Sequence, residues 1–232
     1  MTRPRSSSTA DPAPSEEGGP RGGSAQGQGA GRRDRRGDKA RRIMDAAIEV
    51  FAERGFFNAT VAQVARQAGV ADGTIYLYFK SKDDLLIQVF EDIMAMINRR
   101  LEAAVEGLCC ARERLSAVAA SQAALICEAP ALGEVICVEL RQSTKFIKEY
   151  DNPGFKTYLG ILAGILEEGQ ATGELHRDFD PQVMARALFG AFDELHLSWI
   201  LARRRRFDLA AASRQVVHVF LRGLLRDPSE LT

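Results

Sequence analysis

Between residues 60 and 82 the chain sets hydrogen-bonding groups among small and apolar residues: Thr60, Gln67, Asp72, Thr74, Tyr76, Tyr78 and Lys82, with Gly73 leaving the backbone open to close approach. Hydroxyls, amides, backbone N–H groups and an ammonium are what hold phosphate oxygens and touch base edges. Arg66 and Gln67 come nearest to the forked donors that read single bases, so recognition is expected to lean on apolar contacts, backbone placement and DNA shape. Elsewhere reactive chemistry is sparse. His196 with Glu194, and His176 with Asp193, lack a third partner at ligand spacing, and no glycine-rich phosphate loop occurs; no catalytic, metal or cofactor site is expected. Cys109, Cys110, Cys127 and Cys137 have no C-x-x-C spacing and are expected to be buried free thiols.

Presenting such groups to a DNA groove takes two short helices and a tight turn. Thr60 is a good N-cap for a helix carrying Val61, Val64, Ala65 and Ala68 on one face, and Gly69 suits the left-handed residue that ends it. A third segment over 71–79 follows. Val64, Ala65, Val70, Ile75 and Phe79 would pack the pair together, while Thr74, Tyr76 and Tyr78 would face DNA; either tyrosine ring could instead be part of the core. Ahead of them, Ile43, Ala46, Ala47, Val50 and Phe51 make an apolar stripe from Asp38 to a stop at Gly55. Ser81, with Asp83 and Asp84 in the first turn, opens a long helix to about Gly107. Further helices are predicted over 112–128, 131–149, 154–172, 181–203 and 208–226, with breaks at Pro130, Asn152-Pro153-Gly154, Gly173 and Asp180-Pro181. Strand signals are nearly absent. The expected fold is all-α: an N-terminal three-helix helix-turn-helix domain (38–84) and a larger C-terminal helical ligand-binding and dimerisation domain (85–228).

Basic and acidic residues both number 31 among 232, so only their placement can favour a polyanion. Arg32, Arg33, Arg35, Arg36, Lys39, Arg41 and Arg42 stand against only Asp34 and Asp38, a basic footprint at the first helix. Residues 1–37, rich in Gly, Ser, Pro, Gln and Arg, predict a disordered basic arm, either a solvated tail or one that follows phosphates or a minor groove. No apolar run nears the roughly 18 residues that span a bilayer, and the N-terminus lacks a signal-peptide core. A cytoplasmic protein with no membrane partner is expected.

The run from Thr60 to Leu85, above all Gly73-Thr74-Ile75-Tyr76-Leu77-Tyr78-Phe79-Lys80-Ser81-Lys82, resembles the DNA-binding signature of the TetR family of bacterial transcription regulators. The resemblance implies a repressor, not an enzyme, in which Thr60 binds phosphate through its hydroxyl and backbone N–H, Asp72, Gly73, Thr74 and Tyr76 lie at the groove, and Tyr78 and Lys82 hold phosphate. It also implies a homodimer, which would set two recognition helices about 34 Å apart on a palindromic double-stranded operator. Residues 189–201 are apolar nearly all round; with Val216, Phe220 and Leu224 on the last helix, Trp199 is expected in a four-helix interface between subunits.

A narrower resemblance runs through Val138-Glu139-Leu140-Arg141-Gln142-Ser143, Gly160-Ile161-Leu162 to Gly169, and Phe189 to Glu194. These segments are similar to the TetR-family regulators of fatty-acid degradation, which respond to long-chain acyl-CoA. Leu125, Ile136, Leu140, Phe155, Leu159, Leu162, Phe189 and Phe192 could line a tunnel for the chain, and Arg141, Lys145, Lys148 and Lys156 could meet the CoA head. The same apolar residues would also serve an ordinary core, and the same cations a solvated face. Two alternatives stay open: an efflux or detoxification regulator with another hydrophobic effector, and an architectural DNA-binding protein with none.

Overall fold

The stripe Ile43, Ala46, Ala47, Val50 and Phe51 lies buried along α1, Gln28–Arg54. The computed structural model describes residues 28–140, 150–202 and 207–224, with side chains from residue 37 onward. The chain forms two units, Met1–Gly37 and Asp38–Thr232, and the helix packing belongs to the second. α1 begins at Gln28 rather than Asp38, so the last part of the expected arm is helical; residues 1–27 lie outside the described residues. The composition of 28–37 cannot build a core, but Ala, Gln and Arg are good helix formers.

Gly55, at φ 75°, ends α1. α2, Val61–Ala68, opens on a reciprocal capping box: Gln63 N donates to Thr60 Oγ1 at 3.3 Å and Thr60 N to Gln63 Oε1 at 2.9 Å. Gly69 closes it in the left-handed conformation. α3, Asp72–Ile75, is shorter than the 71–79 segment suggests, because Tyr78 N and Phe79 N both return to Ile75 O at 2.9 Å as turns. α4, Lys82–Val105, starts on Ser81, whose Oγ accepts from Asp84 N at 3.0 Å.

α5, Ala111–Glu128, meets a carboxylate at its N-terminus: Glu174 accepts from Ala111 N at 2.7 Å and Arg112 N at 3.1 Å. α6, Pro130–Glu134, widens into a π-helical turn, Val135–Glu139, in place of the uniform helix expected over 131–149. Residues 141–149 lie outside the described residues. The chain then forms α7 (Pro153–Thr172), α8 (Pro181–Leu201) and α9 (Leu209–Leu224). Gly154 allows α7 to begin hard against α4: a Cβ there would stand 2.7 Å from Met94 Cβ, and Asn98 Nδ2 donates to Gly154 O at 3.0 Å. The fold is all-α, with one apolar core continuous from the helix-turn-helix through α4 to α9. No single helix among the described residues is long and apolar enough to cross a membrane; α5 and the α6 segment qualify only as a pair bent by 108°. Of the four cysteines only Cys137 is buried, while Cys109 and Cys127 are exposed, which corrects the expectation of buried thiols.

Candidate DNA-binding face and effector cavity

Val64, Ala65, Ile75 and Phe79 bury the inner faces of α2 and α3, and this packing turns the rest outward. Gln67, Asp72, Gly73 and Tyr76 are exposed and Thr74 half-exposed, with Asp72 in the first turn of α3. Leu77, 71 % exposed, and Phe57, 63 %, lie open in the same helix-turn-helix, and neither stands out in the sequence. An exposed leucine beside an exposed tyrosine has the character of apolar contact with a thymine methyl. Tyr78 is half-buried and packs on the core, its ring 6.4 Å from Phe79.

Several polar groups act within the protomer. Lys82 Nζ donates to Phe56 O at 2.7 Å, Ala59 O at 2.9 Å and Phe57 O at 3.3 Å, so its three donors hold the loop before α2. An ammonium has three donors in all, so the side chain to which the resemblance gives a phosphate role is here engaged within its own protomer. Thr60 N likewise faces Gln63, leaving only the hydroxyl hydrogen for an anion. Arg42 Nη2 donates to Ala68 O at 2.7 Å, and Arg41 pairs with Asp92 at 2.9 Å, which draws both away from the basic footprint. Gln67 Nε2 donates to Glu49. Arg66 and Lys80 remain exposed on this face.

A cavity of about 280 Å³ lies between α4, α5, the π-helical turn, α7 and α8. Its apolar wall is Phe90, Met94, Ile97, Leu125, Ile126, Ile136, Cys137, Leu140, Phe155 and Phe189. Phe189 meets Phe155 edge-on at 4.7 Å and Tyr158 at 5.7 Å. Thus Leu125, Ile136, Leu140, Phe155 and Phe189 line the cavity, whereas Leu159, Leu162 and Phe192 are buried core residues outside its wall. Arg141, Lys145 and Lys148 lie outside the described residues; Lys156 is exposed and pairs with Asp151 at 2.6 Å.

The cavity also has a polar side made by Gln122, Asn152, Tyr158, Asp193 and His196. Gln122 donates to the Tyr158 hydroxyl at 2.9 Å, and burial pushes that phenol above its ordinary range. His196 is neither solvated nor fully hydrogen-bonded. It is buried with no hydrogen-bond partner for Nε2, and desolvation lowers its pKa from 6.5 to about 4, so it is neutral near pH 7. Only its neighbours in space distinguish it from a core histidine.

The residues expected at the subunit interface also have contacts within their own protomer. Trp199 is buried inside the protomer against Ala123, Ile126 and Leu209; Leu224 is buried as well, and Val216 and Phe220 are half-buried on the core. An apolar α8 is consumed by α5, α6, α7 and α9 of its own chain. Its open face carries Val183, Ala187, Gly190, Glu194, Ser198 and Leu201, and α9 exposes Gln215, His218 and Val219.

A helix-turn-helix continuous with a helical domain that encloses a ligand-sized apolar cavity defines a DNA-binding regulator. Residues 43–89 match the tetR family of bacterial regulatory proteins, and residues 90–223 match the C-terminal region of YsiA-like protein. The chain belongs to the TetR family and is a transcriptional regulator, not an enzyme. It is 38 % identical over 186 residues to the fatty acid metabolism regulator protein of Bacillus subtilis, covering 80 % of this chain and 95 % of that one. Its fold matches the crystal structure of FadR from Bacillus subtilis in complex with stearoyl-CoA, with TM-score 0.74, 38 % identity, and coverage of 79 % of this chain and 98 % of the other. FadR from Bacillus halodurans, a fatty acid degradation regulator, matches with TM-score 0.74 and 32 % identity, over 80 % and 95 % of the two chains.

Proposed function

We propose that this regulator is a homodimeric repressor that sits on a palindromic operator and leaves it when a long-chain acyl-CoA enters the C-terminal cavity. The apolar cavity carries the reading: a wall of leucine, isoleucine and phenylalanine suits an alkyl chain, and the region that builds it matches a regulator that binds stearoyl-CoA. Leu125, Ile136, Leu140, Phe155 and Phe189 would hold the chain. Arg141, next in sequence to the cavity residue Leu140, and Lys145, further along the same segment, would meet the CoA phosphates. Tyr76, Leu77, Thr74, Asp72 and Gly73 would enter the groove, with Thr60 Oγ1, Arg66, Gln67 and Lys80 beside the backbone. The open faces of α8 and α9 would pair with a second copy, Ala187 and Gly190 letting the helices approach closely.

The decisive experiment titrates acyl-CoAs of increasing length into the protein–operator complex, with free CoA and free fatty acid as controls. Release should rise with chain length and need the CoA head. No release by any acyl-CoA, with release by an unrelated hydrophobic compound, would remove the lipid assignment. For the dimer, Val219→Asp should set a charge in an apolar contact, give a monomer in sedimentation and abolish tight operator binding. An intact Val219→Asp dimer would move the interface elsewhere.

A further inference from the structure

Glu139 ends the π-helical turn and is only 4 % exposed. Its carboxylate accepts a hydrogen bond from the backbone N–H of Phe56, in the loop between α1 and α2. The carbonyl of the same Phe56 accepts from Lys82 at the start of α4, and Lys82 Nζ lies 4.5 Å from the Phe56 ring centroid. Gly55 fits beneath: a Cβ there would stand 3.6 Å from Glu139 Oε2 and would be strained by its φ of +75°. Ile136 and Cys137 of the same turn, and Leu140 just after it, line the cavity. One short turn therefore has the ligand space on one side and the framework of the DNA-binding helices on the other.

A hydrogen bond to a buried carboxylate is strong and sensitive to placement. Turns one residue wider than an α-helical turn occur frequently at functional sites. Coupling between distant sites is carried by packed, hydrogen-bonded elements of this kind, whose placement both sites bias.

We infer that Glu139 is the positioning residue through which occupancy of the cavity reaches the DNA-binding helices. A group pressing on Ile136 or Leu140 moves the turn, the turn moves Glu139, and the Phe56 N–H carries the movement to the α1–α2 loop and the Lys82 end of α4. The inference rests on the cavity being the effector site, as proposed above, but not on the effector being a lipid.

The test uses the full chain and two independent ways of filling the cavity, stearoyl-CoA and the substitution Leu125→Trp. Operator affinity is measured by fluorescence anisotropy, and thermal melting monitors the fold. In wild type, filling should change operator affinity by about tenfold or more, within the ordinary range of allosteric coupling. In Glu139→Ala the change should shrink below about twofold. Glu139→Gln, which keeps an acceptor for Phe56 N–H, should restore most of it. A purely structural glutamate would lower the melting temperature of Glu139→Ala and leave the fold-change intact. Hydrogen exchange at Phe56 N–H in a Glu139 wild-type background supplies a readout that needs no variant at 139, and it should change when the cavity is filled. An undiminished response in Glu139→Ala, an unmoved Phe56 amide, or operator affinity indifferent to both fillings would overturn the inference. A null result with stearoyl-CoA beside a Glu139-dependent effect of Leu125→Trp would sink only the lipid assignment.

Discussion

The helix-turn-helix and the cavity domain handle their polar groups in opposite ways. Around α2, donors and acceptors are met locally: Thr60 and Gln63 cap each other, Arg42 takes Ala68 O, and Lys82 takes three carbonyls. In the C-terminal domain, Asn98 Oδ1, His196 Nε2 and Ser213 Oγ are buried without a hydrogen-bond partner. Each such group costs about 1–3 kcal/mol. Of the three only His196 lines the cavity, so the contrast fits a reader that must keep one shape and a sensor whose cavity retains one unsatisfied group that a ligand or a water can meet.

The largest expected break in that contrast is acid sensitivity at the cavity. Burial holds His196 at about 4 against an ordinary 6.5. The unfolded chain takes up a proton below about pH 6.5 and the native state only near pH 4. Stability is therefore complete above the higher value and falls by up to about 3 kcal/mol as pH drops through that window. His196→Leu should flatten this part of the curve in denaturant titrations at a series of pH values; an unchanged pH dependence would place the loss elsewhere.

Next comes Lys82→Met, which strips three carbonyls of a charged donor and should cost about 2–3 kcal/mol in denaturant unfolding. The salt slope of operator binding should stay as in wild type. A slope reduced by about one unit with stability unchanged would return Lys82 to a phosphate. Thr60→Ala removes half of the capping box and should cost about 1 kcal/mol; Thr60→Ser should recover it, and a Thr60→Ala protein as stable as wild type would show the box to be idle. The smallest effect on the fold belongs to Lys80→Ala, less than about 0.5 kcal/mol. Its salt slope should nonetheless fall by about one unit, and an unaltered slope would take Lys80 off the DNA.

Much of the reader domain was legible in the sequence because its determinants are local. A cap three residues before its partner, a left-handed glycine and a 3.6-residue stripe each announce themselves within one turn. The partners of Lys82 and Arg42 were not legible, since both bonds span more than twenty positions; the motif identified a basic residue but not the carbonyls it faces. In the cavity domain, helices ended close to where proline, glycine and asparagine predicted. Which apolar residue lines space and which fills core was beyond periodicity: Leu125 and Leu162 carry the same side chain, yet only the first reaches the cavity. Trp199 likewise satisfied the apolar pattern of an interface while being buried against α5 of its own chain. Gln122, Tyr158 and His196 come from three helices, and no spacing within one segment links them.

The wide turn at Val135–Glu139 also fixes how this part of the chain can change in length. An α-helix advances about 100° per residue, and the wide turn already holds one residue more than an α-helical turn, so inserting another before Glu139 would swing every later side chain around the axis by that angle. The carboxylate would leave Phe56, and Leu140 would leave the cavity. Substitutions across the turn can be absorbed one at a time, but its residue count behaves like the tooth number of a gear, fixed by what lies on both sides.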